Sequence, residues 1–287
     1  MQESVDAVRF GSFAGRTLQS AVSGTRSLAE GLFAAFFPSD CRLCGSPLTN
    51  ISRLPVCPGC IQAIEPIAGA TCSRCGESLL RIGDDAAPEL CGQCQGGRPA
   101  YEKAVAYGAY DGGLRELIHL LKYEQVTPAA AVLGGMLAQA IAKLRLEGAI
   151  VVVPVPLHRS KRRQRGFNQS ELIVRTALKK LPELHATLDP KVLERVRATV
   201  SQIGLTRPQR KENLRGAFRV AHPSTVKGTS VLLVDDVFTT GTTISECARV
   251  LRRAGAEHVW IATVARTLKN HSSPLQVEEL NAVGMGT

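Results

Sequence analysis

The stretch VLLVDDVFTTGTT, from Val231 to Thr243, ends an apolar run in two adjacent carboxylates and then places four threonines around one glycine. The apolar run predicts a buried strand, and the turn after it leads into a helix that we expect to begin near Thr243. Open α/β folds bind ligands at the carboxyl edge of a parallel sheet, so Asp235 and Asp236 mark a candidate ligand site. Paired carboxylates in that position are costly without a ligand or a cation.

The threonine-rich turn has the chemistry of a phosphate site. Free backbone N–H groups at a helix N-terminus and the helix dipole attract anions, and a glycine at position 241 lets the backbone approach closely. The hydroxyl donors of the turn are Thr239, Thr240, Thr242 and Thr243. Since carboxylates accept hydrogen bonds from sugar hydroxyls or hold Mg²⁺, acids and turn together fit a ribose 5-phosphate. The GxxxxGK-Ser/Thr pattern of a Walker loop is absent.

Eight of the nine cysteines form four CxxC pairs before residue 95, and this pattern predicts two structural zinc sites. Two short pairs of thiolates supply the closed tetrahedral shell that such zinc ions take. Paired in order along the chain, the ligands are Cys41, Cys44, Cys57 and Cys60 for one ion and Cys72, Cys75, Cys91 and Cys94 for the other. Interleaved pairs, disulfides and a redox CxxC are the alternatives. The ninth cysteine, Cys247, is expected to pack in a helix.

Length and composition exclude several classes of protein. A chain of 287 residues that is 44% hydrophobic can bury one good core and has material left for a small accessory module. No apolar run approaches the ~20 residues of a membrane span, and the run LFAAFF at 32–37 is too short for the apolar region of a signal peptide. Together with the metal-type CxxC pairs, this predicts a cytoplasmic protein without a membrane span.

The composition changes along the chain and predicts four segments. Residues 1–37 hold a weak helical pattern, interpreted as a loose leader and a docking helix. Residues 38–98 are rich in Cys, Gly and Pro and are interpreted as a double zinc ribbon. Residues 99–268 alternate strand and helix patterns, which predicts an α/β domain with a mainly parallel sheet covered on both faces. Residues 269–287 are expected to be a loose tail.

The net charge of +10 is concentrated in two segments. Residues 1–100 carry eight basic and nine acidic side chains, so the basic excess lies after them. His158–Arg165 has five basic residues and no acid, and Lys191–Arg219 has eight basic and two acidic residues. An evenly solvated surface would spread this charge, so the concentration indicates an anionic ligand.

Three motifs in order resemble known families. The stretch from Val231 to Thr243 resembles, along its whole length, the phosphoribosyl pyrophosphate (PRPP) signature of type I phosphoribosyltransferases. VPVPLHRSKRRQRGFNQSEL, from Val153, and RATVSQIGLTRPQRKENLRGAF, from Arg197, resemble the ComF family, which is competence-associated, phosphoribosyltransferase-like and often preceded by a double zinc ribbon. The resemblance covers about residues 37–266. It implies a type I phosphoribosyltransferase fold, a parallel sheet flanked by helices, behind a double zinc ribbon with four cysteines per ion.

The resemblance also implies how PRPP is held. Leu157–Phe167 corresponds to the pyrophosphate loop and Arg197–Arg215 to a flexible lid, so both basic segments would face one polyanion. Asp235 and Asp236 would be the catalytic residues that hold the ribose hydroxyls, directly or through Mg²⁺, and the threonine turn would hold the 5-phosphate. The implied pyrophosphate ligands are Arg159, Arg163, Arg165, Arg197 and Arg210, with Lys122 as a weaker candidate.

The activity that the resemblance implies is that of a pentosyl-transferring enzyme. It would transfer phosphoribose to an unidentified nitrogen nucleophile, release pyrophosphate and serve DNA uptake. Many purine-salvage members carry an aspartate where this chain has Thr239, so purine salvage is not expected. The alternative is a non-catalytic adaptor of the competence machinery that senses nucleotides or handles single-stranded DNA, with the zinc ribbon docking a protein partner. The only aromatic residues near or within the basic segments are Phe167 and Phe218, which gives little surface on which the bases of single-stranded DNA could stack.

Overall fold

The computed structural model describes residues 39–48, 52–79, 89–97, 99–199 and 206–268. The predicted docking helix within residues 1–37 and the predicted tail 269–287 lie outside the described residues. The described residues up to Cys60 belong to one compact unit and those from Ile61 onward to a second. The second cysteine set therefore shares a compact unit with the strands and helices that follow it.

The first compact unit holds a cysteine knuckle. Asp40 and Pro47 form an isolated antiparallel bridge, and the N–H of Gly45 donates to the carbonyl of Cys41 at 2.8 Å. Gly45 has a φ of 73°, a left-handed value that suits glycine at such a turn. Helix α1 (Pro58–Gln62) follows. The short hydrogen-bonded turn brings the first two cysteines of the set close together.

A five-stranded parallel sheet forms the centre of the second unit. The strands of this unit are β1 (Lys103–Ala109), β2 (Ile150–Pro154), β3 (Ala186–Leu188), β4 (Leu193–Arg195), β5 (Phe218–Val220), β6 (Ser230–Phe238) and β7 (His258–Arg266). The sheet has the order β1-β7-β6-β2-β3, and a separate antiparallel pair joins β4 to β5. The predicted α/β class and parallel sheet are thus confirmed.

Helices cover both faces of the sheet. They are α2 (Gly92–Gln95), α3 (Gly112–Tyr123), α4 (Ala129–Ala142), α5 (Arg159–Arg165), α6 (Gln169–Leu178), α7 (Arg207–Leu214), α8 (Pro223–Val226) and α9 (Thr242–Arg253). On one face α4 packs on β1, β7, α3 and α6, and α6 also packs on β2 and β6. On the other face α9 packs on β6 and β7 and also contacts β5 and α7. No helix in the described ranges is both long enough and apolar enough to cross a bilayer.

The central strand β6 is buried on both faces, which explains its unbroken apolar sequence. Val231 and Leu233 pack in one core cluster with Ile244 and Cys247 of α9, all at most 1% exposed. Leu232, between them in sequence, is also fully buried. Cys247 is therefore a packing residue, as predicted.

Candidate functional site

The turn after β6 is built around a glycine. Gly241 has a φ of 73° and precedes the first residue of α9. A Cβ at this position would lie 2.6 Å from Cζ of Phe238, so a side chain has no room here. Thr240 and Thr242 place their Oγ1 atoms 2.8 Å apart, and α9 begins without a side-chain cap. The first-turn N–H groups and the hydroxyls give this threonine turn (Thr239–Thr243) the donors that a phosphate accepts from.

Asp236, near the end of β6, is buried against a lysine. The Nζ atom of Lys122 lies 2.8 Å from Oδ2 of Asp236, which is 4% exposed. Burial lowers the pKa of Lys122, but the Asp236 carboxylate and its hydrogen bond raise that pKa more, to above its ordinary value. Lys122 is therefore a fixed positive charge at the end of the strand. It was the weaker sequence candidate, since a lysine at a helix end is usually exposed.

Asp235 is only partly buried and accepts two hydrogen bonds at one oxygen. Oγ of Ser170 and the N–H of Asp236 each donate to Oδ1 of Asp235 at 2.9 Å. Burial and then the neighbouring Asp236 charge raise the pKa of Asp235 to about 7, against the opposing effects of Lys122 and of these hydrogen bonds. Asp235 can therefore gain or lose a proton near neutral pH.

The two carboxylates point to opposite faces of the sheet, as successive strand residues do. Asp236 faces Lys122 of α3, whereas Asp235 interacts electrostatically with Cys247 of α9 and with Arg195 of β4. The sequence predicted that both aspartates contact the same ligand. In the structure Asp235 is the more accessible of the two, and Asp236 already has a cationic partner.

Four positive side chains from three elements, α3, α5 and β4, lie close to one another. We call Lys122, Lys161, Arg165 and Arg195 the cation cluster. Burial lowers the pKa of Lys161, and the charges of Arg195, Arg165 and Lys122 lower it further. Mutual repulsion of this kind shows that the four charges share one region. Such a concentration of cations suits a polyanionic ligand.

The sequence candidates on α5 differ in exposure. Arg159 and Arg163 are exposed to solvent, and Arg165 is half-buried. The guanidinium of Arg165 donates to Oε1 of Gln169 and lies 5.7 Å from the centroid of the Tyr123 ring. Arg165 is therefore held in place by Gln169 and Tyr123.

The candidates of the predicted lid are placed differently again. Nη2 of Arg197 donates to the carbonyls of Asn213 and Arg215, both at 2.8 Å. Arg197 thus holds the chain at the end of α7. Arg210 lies within α7, half-buried, where its N–H donates to the carbonyl of Thr206 at 2.8 Å. Residues 200–205, between β4 and α7, lie outside the described residues.

Sequence reasoning missed Arg195 as a site residue. Its guanidinium lies 5.5 Å from the Phe218 ring centroid and donates to Oγ1 of Thr199. Burial lowers the pKa of Arg195, while the nearby charge of Asp235 raises it. Its Nε has no hydrogen-bond partner among the described residues. The basic segment 191–219 contained the signal, but only the pairing of β4 with β5 brings this arginine to the site.

A groove of 590 Å³ runs beside the cation cluster. Its two acidic residues are both paired, Glu194 with Arg219 at 2.7 Å and Glu171 with Arg175 at 2.8 Å. Basic groups that line it are His158, Arg159, Arg162, Lys191, Arg195 and Arg219. The groove therefore adds cationic surface next to Arg195, which suits a charged ligand larger than one phosphate.

An aromatic group also lies beside the cation cluster and was missed from sequence. Tyr110 Oη lies 3.0 Å from Nε2 of His119, whose ring meets that of Tyr123 edge-on at 5.2 Å. Tyr123 is 68% exposed. The three residues lie outside the basic segments in sequence, and only the packing of α3 brings Tyr123 to Arg165.

The eight CxxC cysteines form two sets in the order predicted. Within each set all Sγ atoms lie within 4.8 Å of one another, and all nine described cysteines are free. Sγ pairs are 3.9 Å apart for Cys41 and Cys60 and 3.6 Å for Cys75 and Cys91. A tetrahedron with Zn–S bonds of ~2.3 Å has edges of ~3.8 Å, so both sets fit zinc. Disulfides and interleaved pairs are thereby excluded.

Two family models match the chain. A phosphoribosyl transferase domain matches residues 130–280, and a double zinc ribbon domain matches residues 32–95. A DNA utilization protein, YhgH, of Salmonella typhi is 34% identical over 238 residues, which are 80% of this chain and 98% of that protein. Competence protein F of Haemophilus influenzae is 31% identical over 240 residues, with the same coverage of 80% and 98%.

One more relative and one solved structure are also similar to this chain. Competence protein ComFC of Streptococcus pneumoniae is 24% identical over 245 residues, which are 79% of this chain and 99% of that protein. A solved structure described as the allosteric regulatory enzyme of purine biosynthesis is 22% identical, with a TM-score of 0.31. That match covers 55% of this chain and 33% of the other, so the chain spans about a third of that enzyme.

The fold and the two zinc sites define a phosphoribosyltransferase-like protein with a double zinc ribbon at its N-terminal side. The DNA utilization protein and competence protein F are 34% and 31% identical to this chain over 80% of its length, which identifies the family. The chain belongs to the ComF family.

Proposed function

We propose that the second compact unit binds PRPP with Mg²⁺ and transfers its phosphoribosyl group to a nitrogen nucleophile, with release of pyrophosphate. One observation carries the proposal: the threonine turn, the two aspartates and the cation cluster meet at one edge of the sheet. These three groups of residues suit the 5-phosphate, the ribose hydroxyls and the diphosphate of a single ligand.

Each group has a distinct task in the proposed reaction. The N–H groups at the start of α9 hold the 5-phosphate and so fix the position of the ribose. Asp235 accepts hydrogen bonds from the ribose hydroxyls, while Lys122 keeps Asp236 in place. As the bond from C1 to the leaving oxygen breaks, Lys161, Arg165 and Arg195 stabilise the charge that develops on pyrophosphate.

Oxygen donors for Mg²⁺ are present beside this edge. Asp235 is the accessible carboxylate, and Mg²⁺ commonly takes one or two carboxylates together with substrate phosphates. The ion would neutralise part of the diphosphate charge. The exposed Arg159 and Arg163, and Arg197 and Arg210 of the lid segment, are proposed to reach pyrophosphate in a closed state.

The threonine turn also narrows the acceptor. Thr239 offers a hydroxyl where a carboxylate would serve as a base toward a purine, so we propose an acceptor outside purine salvage. Release of pyrophosphate from PRPP, measured across a panel of nitrogen nucleophiles, identifies it. The nucleophile that accelerates release above the rate of PRPP hydrolysis is the acceptor, and no acceleration by any of them would contradict transfer.

Ligand binding is tested by the melting temperature. Millimolar PRPP with Mg²⁺ is expected to raise it, since a ligand at about 100 times its Kd adds ~2.7 kcal/mol to the free energy of unfolding. The double substitution Asp235→Asn and Asp236→Asn is expected to abolish the shift. Asp111→Asn, at an exposed aspartate whose side chain makes no cap hydrogen bond, is the control that keeps it. An unchanged melting curve of the unsubstituted protein would refute PRPP binding.

A second function, that of an adaptor for single-stranded DNA, is favoured by one observation. Tyr123 is 68% exposed and is stacked with Arg165 beside the cationic groove. Base stacking on an aromatic ring contributes ~1 to 3 kcal/mol per base. An adaptor would bind a labelled oligonucleotide, lose affinity in Tyr123→Ala and show no melting shift with PRPP.

The biological setting is proposed from the relatives. Curated relatives carry the names competence protein and DNA utilization protein, so we place this chain in the uptake or use of DNA. The zinc ribbon offers a compact surface for a protein partner of that process. The reducing cytoplasm is the compartment that keeps the eight zinc-binding thiols available for metal.

A further inference from the structure

The second cysteine set is joined to the sheet by a buried arginine. Arg266, the last residue of β7, is 4% exposed. Its Nη1 donates to the carbonyl of Cys75 at 2.5 Å, and its Nη2 donates to Oε2 of Glu77 at 2.7 Å and to Sγ of Cys75 at 3.7 Å. One guanidinium therefore binds both the backbone and the sulfur of a zinc ligand.

The same guanidinium reaches the threonine turn through an aromatic ring. Cζ of Arg266 lies 4.4 Å from the centroid of the Phe238 ring. Phe238 in turn occupies the space beside Gly241, since a Cβ built there would lie 2.6 Å from its Cζ and 2.7 Å from its Cε1. A continuous line of contacts thus runs from Cys75 through Arg266 and Phe238 to Gly241.

The knuckle that carries Cys75 is itself packed on the sheet. The N–H of Ala104 in β1 donates to the carbonyl of Arg74 at 2.7 Å, and a Cβ at Gly76 would lie 2.8 Å from the carbonyl oxygen of Ala104. A cavity of 640 Å³ has Cys75 and Cys94 on one side and the threonine turn on another. The second cysteine set and the threonine turn therefore line the same cavity.

We propose that zinc at the second cysteine set controls the threonine turn, with Arg266 as the positioning residue that joins them. Four thiolates around one Zn²⁺ leave two negative charges, and Arg266, which is paired with Glu77, also donates a hydrogen bond to the Cys75 sulfur. Without the metal, the knuckle loses the constraint that orders it. Arg266 then loses its hydrogen bonds to the carbonyl and the sulfur of Cys75. Without them it no longer stays stacked on the Phe238 ring, and the threonine turn becomes mobile.

This proposal rests on the proposed function in one respect only, the expectation that loss of the second zinc ion lowers the affinity for the ligand. Ordering of the turn is a property of the protein alone, and hydrogen exchange measures it without any ligand. In the full chain, Cys72→Ser is expected to remove one zinc ion and to speed exchange of the amides at 238–243 at least ~tenfold, since zinc-dependent order is lost locally. Cys44→Ser, in the other compact unit, is the matched control that also removes one zinc ion and leaves this exchange unchanged.

A second variant separates the arginine from the metal ligands. Arg266→Met keeps all eight cysteines and is expected to weaken zinc retention at the second set ~10-fold, because groups that hydrogen-bond a metal ligand contribute about that much to metal affinity. It should also speed exchange at 238–243. Arg252→Met, at an exposed arginine of α9, is the control, and Arg266→Lys should restore part of the loss.

The outcomes separate this proposal from the proposed function. Unchanged exchange at 238–243 after loss of the second zinc ion, or equal acceleration in Cys44→Ser, overturns the coupling. If ribose 5-phosphate binds the unsubstituted protein, its Kd should rise in Cys72→Ser and Arg266→Met and stay constant in the two controls. If neither ribose 5-phosphate nor PRPP with Mg²⁺ binds, the proposed function fails, and the exchange measurement still decides the coupling.

Discussion

At the scale of single residues, the site depends on how two adjacent carboxylates are compensated. Asp236 is buried and paired with Lys122, whereas Asp235 is partly buried and is held by Ser170 and by a backbone N–H. Neighbouring positions on one strand therefore carry different electrostatic properties. Asp236 is a buried anion with a fixed partner, and Asp235 is the more accessible carboxylate, which we propose meets the ligand.

The ion pair at Asp236 predicts a large effect when its lysine is removed. Lys122→Met leaves a buried carboxylate without its cation, and the free energy of unfolding is expected to fall by about 3 kcal/mol or more. Adding Asp236→Asn should recover part of that loss, because the unpaired charge is then gone. Urea denaturation of the two single variants and the double variant measures the coupling. Lys179→Met, at an exposed lysine, should change stability little, and additive losses would contradict the pair.

Asp235 makes stability depend on pH. Its pKa is about 7 in the folded protein, raised from an ordinary 3.8, so the folded state binds this proton more tightly. The stabilisation is fully present below the unfolded pKa and is lost as the pH rises through about 7. The melting temperature should therefore fall from about pH 4 to about pH 7, and less so in Asp235→Asn. A fall that is equal in both proteins would assign the proton elsewhere.

The sequence identified the residues of the β6 turn but not most of their partners. Asp235, Asp236 and Gly241 were found because strand, acid and turn are contiguous in the chain. Lys122, Arg195 and Tyr123 come from distant segments, and only tertiary packing brings them to the carboxylates. Local charge density therefore indicated Arg159 and Arg163, which the structure leaves exposed, ahead of lysines and arginines that are fixed in place.

At the scale of elements, the turn between β6 and α9 depends on one glycine for two reasons. Its φ of 73° is left-handed, and the Phe238 ring fills the space where a Cβ would be. Gly148 has the same φ of 73° but has no atom within 4 Å of a Cβ. Comparing substitutions at Gly148 and Gly241 therefore distinguishes the cost of left-handed backbone strain from the cost of the clash with Phe238.

Substitution at these two glycines should have different consequences. Gly148→Ala is expected to cost only the left-handed strain, ~1 to 2 kcal/mol. Gly241→Ala should cost more, because it also displaces Phe238, and it should weaken the melting shift caused by PRPP. Thermal melts with and without PRPP compare them. Equal losses of stability at the two sites would show that the Phe238 contact contributes nothing.

Element types in the sheet domain follow from the sequence because buried parallel strands have continuous apolar runs and the helices between them are amphipathic. The apolar runs at 150–156 and 231–234 predicted β2 and β6 directly. The short pair of β4 and β5 was not predicted. Its strands have three residues each, too few for a period to be read, and their pairing joins segments on either side of α7.

At the scale of the whole molecule, the described chain divides after Cys60, so the two cysteine sets belong to different compact units. The sequence predicted one double ribbon at residues 38–98, because the segment is rich in Cys, Gly and Pro and holds both cysteine sets. The second cysteine set belongs to the sheet-containing unit because of tertiary contacts, which the spacing of cysteines in the sequence does not reveal. The backbone of the second knuckle binds β1, and its Cys75 binds Arg266.

This division predicts how the protein loses its metal. Metal analysis should find two zinc ions per chain, and Cys44→Ser and Cys72→Ser should each remove one, because ligand sets in separate units act independently. Three of four ligands are buried in the second set and only Cys41 in the first. A chelator should therefore take the first ion faster, as a colorimetric assay in two phases would show. Simultaneous release of both ions, or loss of both after one substitution, would mean that the two knuckles fold as one unit.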